Sequence, residues 1–166
     1  MVQRPVPHPS DDDAADRDGA RLGEGSAALK TTLIVVGKVK DPFTAADAHY
    51  RKLLQRHQPV DVIEVRDELN IAGRIPQRAH VVALDRGGKA LNSRAWAAWL
   101  SERRIDALDL CFLIGGPRGL PDDVLALASE RLSLGPQTMA HQLARVALLE
   151  QLFRATKILA GEPYHH

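Results

Sequence analysis

The stretch Thr32-Leu33-Ile34-Val35-Val36-Gly37 decides the architecture. Its consecutive apolar side chains leave neither face of a strand for water. The run therefore reads as a strand buried on both faces, and strands of that kind belong to parallel sheets covered by helices. Toward the C-terminus, Ala46, Tyr50, Leu53, Leu54 and His57 recur at helical spacing with Arg51, Lys52 and Arg56 between them, an amphipathic helix that Pro59 closes. Further apolar runs follow at Val60–Val65, His80–Leu84 and Leu110–Ile114. Between the last two, Trp96, Trp99, Leu100 and Arg103 share one helical face behind a cap at Asn92 or Ser93. The alternation β-α-β-β-α-β predicts one α/β domain with a mostly parallel sheet flanked by helices.

Beyond Ile114 the chain reads Gly-Gly-Pro-Arg-Gly-Leu-Pro, then a helix from about Pro121 to Ser129. A short Leu132/Leu134 segment, a Gly135-Pro136 turn and a final helix from about Met139 to Ala160 complete it. The final helix is apolar nearly all round: Leu143, Val146, Leu148, Leu149, Leu152, Phe153, Ile158 and Leu159 cover more than one face. It must be covered on two sides, by another helix of the chain or by a second subunit, and a homodimer is the expectation.

Toward the N-terminus the pattern collapses. Residues 1–29 mix Pro, Gly, Asp and Arg with few large apolar groups, and are expected to form a disordered extension to a domain of residues 30–166. They carry three basic and six acidic side chains. The remaining 19 basic and 15 acidic residues give the domain a net charge of +4, suited to a partner with phosphates without demanding one. Pro5, Pro7, Pro9 and Asp11–Asp13 stand where a signal peptide would need an apolar core, and no apolar run reaches the length of a membrane span. The single cysteine, Cys111, excludes a disulfide framework and reads as a core residue. A cytoplasmic protein is expected.

Two glycine-rich turns follow strands, Asp85-Arg86-Gly87-Gly88-Lys89 and Gly115-Gly116-Pro117-Arg118-Gly119. In open α/β sheets such loops border the ligand crevice, and glycine lets backbone amides approach a ligand. Neither has the spacing of a Walker or Rossmann loop. His80, His141, His165 and His166 lack ligand spacing, so no metal site is expected, and no Ser lies in a nucleophile elbow. The chain ends Gly161-Glu162-Pro163-Tyr164-His165-His166, where an aromatic ring and two imidazoles suit stacking on a base and hydrogen bonding to it.

In order along the chain, Leu33–Gly37, Leu84–Lys89, Ile114–Leu120, Leu132–Leu134, His141 to Arg145, Glu150 to Arg154 and Pro163–His165 resemble the RlmH (YbeA) family of SPOUT-class methyltransferases, over roughly residues 31–166. The resemblance implies a SPOUT domain with a C-terminal trefoil knot. It also implies methyl transfer from S-adenosyl-L-methionine to N3 of a pseudouridine in 23S rRNA of the ribosome. By the same resemblance, Leu84, Gly115 and the loop Leu134, Gly135, Pro136, Gln137, Thr138 and Met139 line the cofactor site. His141, Arg145, Arg154, Tyr164 and His165 then lie near the RNA or the target base, a histidine serving as base and the arginines supplying positive charge. The chain departs from the family in a shorter Val65–His80 segment and in ending on His166. The alternative function is a non-catalytic ribosome- or RNA-binding module of the same fold.

Overall fold

The computed structural model describes residues 29–164. Strand β1 (Thr31–Val36) is buried along its whole length because both its edges and both its faces are occupied. It pairs in parallel with β2 (Val60–Val65) on one side and β4 (Leu110–Ile114) on the other, with Leu33 opposite Val62 and Phe112. Outside β4 lie β3 (His80–Ala90) and then β5 (Glu130–Ser133), also parallel, giving the order β2-β1-β4-β3-β5. The two-residue period of a strand splits β1 between two cores. Leu33 and Val35 join Val82, Phe112 and Leu132 under α1 (Thr44–Leu54), α2 (Ser93–Asp106) and α4 (His141–Leu159). Ile34 and Val36 join Val81, Ala83, Cys111 and Leu113 under α3 (Asp122–Leu125) and the two 3-10 turns Glu68–Asn70 and Ala72–Arg74.

Local chemistry sets the helix ends. The Asn92 side chain accepts a hydrogen bond from the Ala95 amide at 2.9 Å, the cap expected of that residue, and α2 ends where Ala107 takes a left-handed φ of 53°. Side chains such as Trp96, Phe112, Leu33 and Leu148 are fully excluded from water, and burying each contributes about 1.5–3 kcal/mol.

Several expectations are corrected. Leu29 belongs to the folded unit: it is buried against the first core, and its carbonyl accepts a hydrogen bond from Gln58 Nε2. Residues 1–28, for which disorder was expected, lie outside the described residues. The helix expected over 121–129 is a single turn, α3, because only Val124 and Leu125 have a core to face. The Asp85–Gly88 turn does not end its strand. It is an excursion inside β3, after which Lys89 pairs with the same Leu132 that Leu84 paired with before it. Finally, much of the surface of α4 is covered within the chain, since α4 packs on both α1 and α2. What remains open is a strip with Leu143 and Leu159 exposed and Val146, Ala147 and Ile158 half-buried. No described helix is long and apolar enough to cross a membrane.

Candidate active site

The carboxyl ends of β4, β3 and β5 stand side by side, and the loops that leave them enclose a cleft of about 310 Å³. Leu84 and the Asp85–Arg86 excursion line it from β3, Ile114 to Leu120 from β4, and Ser133 to Gly135 with Gln137 to Met139 from β5. His141 and Ala144 of α4 close one end. Of the residues assigned to a cofactor from sequence, Leu84, Gly115, Leu134, Gly135, Gln137, Thr138 and Met139 come together here, while Pro136 is not in the lining. Ser133 and Ala144 line the cleft without a local sequence signal to mark them, whereas Arg118 comes to it with the glycine-rich turn after β4.

Each loop is shaped by close backbone contact. A Cβ on Gly115 would lie 2.4 Å from the carbonyl carbon of Gly119, so the loop folds back on itself only because position 115 has no side chain. The Gly116 amide donates to Glu68 Oε1 at 3.2 Å, which ties the loop to the first 3-10 turn. On the β5 side, Ser133 Oγ donates to the Gly135 carbonyl at 2.8 Å and accepts from the Gly135 amide at 3.1 Å, with Gly135 at a φ of 144° that favours glycine. Gly88 lets β3 return beside β5, since a Cβ there would meet the Arg131 backbone at 2.7 Å.

The residues assigned to RNA or catalysis divide among three places. His141 sits at the cleft wall, its Nε2 beside Gly37. Arg145 stands one turn further along α4 but is 3% exposed. Its Nε and Nη2 donate to the two carboxylate oxygens of Asp47, at 2.6 and 3.1 Å, and its Nη1 donates to Glu64 Oε1 at 2.7 Å. Its charge is paired with two carboxylates of the chain and is not held out to solvent as an open cation. The same Glu64 oxygen accepts from the Val39 amide, and Gln142 Oε1 accepts from the Lys40 amide at 2.6 Å. Together these bonds fix the loop after β1 to the start of α4. Partial burial raises the Glu64 pKa, but the hydrogen bonds from Arg145 and Val39 and the charges of Arg145 and Lys38 outweigh it and hold the carboxyl below its ordinary value.

Arg154 and Tyr164 lie together near the other end of α4. Arg154 donates to Glu150 Oε1 and to the Tyr164 carbonyl, and its guanidinium lies 5.0 Å from the centre of the Tyr164 ring. That ring meets Phe153 edge-on at 5.0 Å. Burial, then the neighbouring Tyr50 and Glu150, push the Tyr164 phenol upward, so it remains a neutral hydrogen-bonding group. Phe153 is twelve positions beyond His141, or about 18 Å along the helix, so this pair stands well away from the cleft of its own chain. His165 lies outside the described residues. Burial pushes the Cys111 thiol up to about 12, which leaves it inert as a nucleophile. Among the described residues no group of three or more His, Cys, Asp or Glu is placed to hold a metal.

A parallel sheet with a glycine-lined cleft at its carboxyl edge, followed by a helix docked back over the first, defines a class, and comparison with known proteins agrees on it. The family described as "Predicted SPOUT methyltransferase" matches residues 29–165, and the chain belongs to that family. Among solved structures, a probable methylase family protein from Haemophilus influenzae superimposes with a TM-score of 0.52 at 11% identity, covering 83% of this chain and 71% of that one. A probable methyltransferase from Bordetella pertussis superimposes with a TM-score of 0.50 at 15% identity over 77% of this chain and 96% of that one. At those identities the likeness concerns the fold alone. Within the class, the chain is similar in sequence to proteins named ribosomal RNA large subunit methyltransferase H. The one from Sorangium cellulosum is 41% identical over 145 residues, covering 83% of this chain and all of that protein. Those from Rubrobacter xylanophilus and Gemmatimonas aurantiaca are 40% and 37% identical over 82% of this chain and 98% and 99% of theirs.

Proposed function

We propose that this protein transfers a methyl group from S-adenosyl-L-methionine to N3 of a pseudouridine in the 23S rRNA of the large ribosomal subunit, acting as a cytoplasmic homodimer with its C-terminal segment threaded as a trefoil knot. The observation that carries the reading is the cleft. Seven residues that the family resemblance assigns to the cofactor, distant in sequence, line one cavity of about 310 Å³, a size suited to a small-molecule ligand. Its wall combines apolar Leu84, Ile114, Leu120 and Leu134, suited to an adenine face, with the open backbone of 115–119 and 134–139, suited to the polar ends of the ligand. Bound there, the sulfonium supplies an activated methyl group.

The chain's own residues then have three tasks. The loops after β4 and β5 orient the donor and exclude water. His141, at the cleft wall, accepts the N3 proton, with His165 as the other candidate base. The buried Arg145–Asp47 pair, with Glu64 as its third partner, holds α4 and the β1 loop in register so that His141 faces the cleft. Tyr164 and Arg154 are too far along α4 to serve the cleft of their own chain. The half-open strip of Leu143, Val146, Ala147 and Ile158 supports a second copy packed against α4, and a copy running the other way would bring its tail to this cleft.

Calorimetry with S-adenosylmethionine and S-adenosylhomocysteine, alongside ATP, tests the site. Mass spectrometry of ribosomes carrying an unmethylated pseudouridine tests the reaction. Binding of ATP in preference to both sulfur ligands, or RNA binding without methyl transfer, overturns the assignment; the second result is the one expected of a non-catalytic RNA-binding module.

A further inference from the structure

The loops after β1, β4 and β3 are neighbours along the carboxyl edge of the sheet, because those strands are neighbours in the order β2-β1-β4-β3-β5. They carry exposed Lys38 and Lys40, then Arg118, then Arg86. Adjacent strands are about 4.8 Å apart, so these cations form a row of roughly 10 Å or more beside the cleft. Arg86 and Arg118 line the cleft and the two lysines extend the row past its lip.

Most carboxylates of the same edge are already engaged by hydrogen bonds within the chain. Glu64 is bonded to Arg145 and the Val39 amide, Glu68 to the Gly116 amide and Asp85 to the Gly87 amide, while the exposed Asp41 stands next to Lys40 in the chain. Among the described residues no carboxylate lies within 4.0 Å of Lys38, Lys40, Arg86 or Arg118. Lys38 is close enough to depress Glu64, yet the group of Arg145, Asp47 and Glu64 already has Arg51 at 3.8 Å from Asp47 as a second cation, so the lysine's charge is not consumed there. The lysine loop is also fixed in advance, through Val39 to Glu64 and through Lys40 to Gln142, so little backbone order is lost when an anion binds.

We propose that Lys38, Lys40, Arg118 and Arg86 form a phosphate track that holds the backbone of a single-stranded RNA segment across the mouth of the cleft. This rests on the methyltransferase reading above and adds to it the residues that position the substrate strand. Phosphate contacts of this kind set register without reading sequence.

The test measures binding of labelled single-stranded oligouridine by anisotropy between about 50 and 200 mM KCl, for the full chain and for Lys38→Ala/Lys40→Ala. Each phosphate contact to a single strand contributes about 0.7 to the slope of log affinity against log salt, so the double variant should flatten the slope by about 1.4 and bind markedly more weakly at low salt. Melting temperature and S-adenosylmethionine affinity should match the parent, and Lys38→Arg/Lys40→Arg should restore the parental slope. An unchanged slope in the folded alanine variant overturns the track. The two readings separate cleanly: a parent that methylates ribosomes while the slope is unchanged loses only the track, and a parent that binds no S-adenosylmethionine while the slope falls loses only the function.

Discussion

Arg145→Ala should destabilise the fold before it touches catalysis. The side chain is 4% exposed and holds a 5% exposed Asp47 carboxylate through two short hydrogen bonds, with a third bond to Glu64. Removing one partner of a buried ion pair leaves an uncompensated charge and costs about 3–5 kcal/mol. Arg51, 3.8 Å from Asp47 and partly exposed, offsets some of that and brings the expectation to about 3 kcal/mol. Against a total stability of about 5–15 kcal/mol that is a large share, and it should lower the melting temperature by about 10 °C. Urea titration of the parent, Arg145→Ala, Asp47→Leu and Arg145→Met/Asp47→Leu gives the answer. The two single variants should each be strongly destabilised and the double variant should recover much of the loss, because it removes the buried charge with its partner. A folded Arg145→Ala protein within about 1 kcal/mol of the parent that has nonetheless lost methyl transfer would refute the positioning role and return Arg145 to direct contact with the substrate.

Acid should loosen the same group. Glu64 titrates lower in the fold than its usual 4.5, so the stability it contributes is complete above about pH 4.5 and is lost as the pH falls through the lower folded value; Glu64→Gln should remove that part of the acid limb of a stability-against-pH curve. Gly115→Val should abolish binding of S-adenosylmethionine by calorimetry, because its Cβ would meet the backbone of Gly119 and Leu120 and force the 115–120 loop off the cleft; retained affinity in a folded variant would remove that loop from the site. Deleting Tyr164–His166 should remove most turnover and cost about 1–2 kcal/mol through loss of the Phe153 and Arg154 contacts, measured by methylation assay and thermal melting. A chain starting at Leu29 should fold with parental stability, whereas loss of Leu29 as well should lower the urea midpoint, since its buried side chain and its bond from Gln58 go with it.

The sequence by itself determined the class of the fold. Unbroken apolar runs such as Leu33–Val36 and Leu110–Ile114 have no solvent face, which requires a sheet covered on both sides, and local signals such as Asn92 before Trp96 set helix starts. It also marked the cleft, because glycine where strands end reports close backbone approach and is visible in one residue type. Tertiary structure alone decided what depends on partners far apart in the chain. The bonds of Arg145 to Asp47 and Glu64 span 98 and 81 residues, and no local pattern distinguishes an arginine spent on a buried carboxylate from one held out to RNA. The same holds for Asp85–Gly88, whose glycines read as the end of a strand and are instead an excursion within it, because only the neighbouring β5 shows the chain returning to the same partner. It holds too for α4, whose apolar surface called for covering: hydrophobicity records that a face must be buried, and packing against α1 and α2 decides by what.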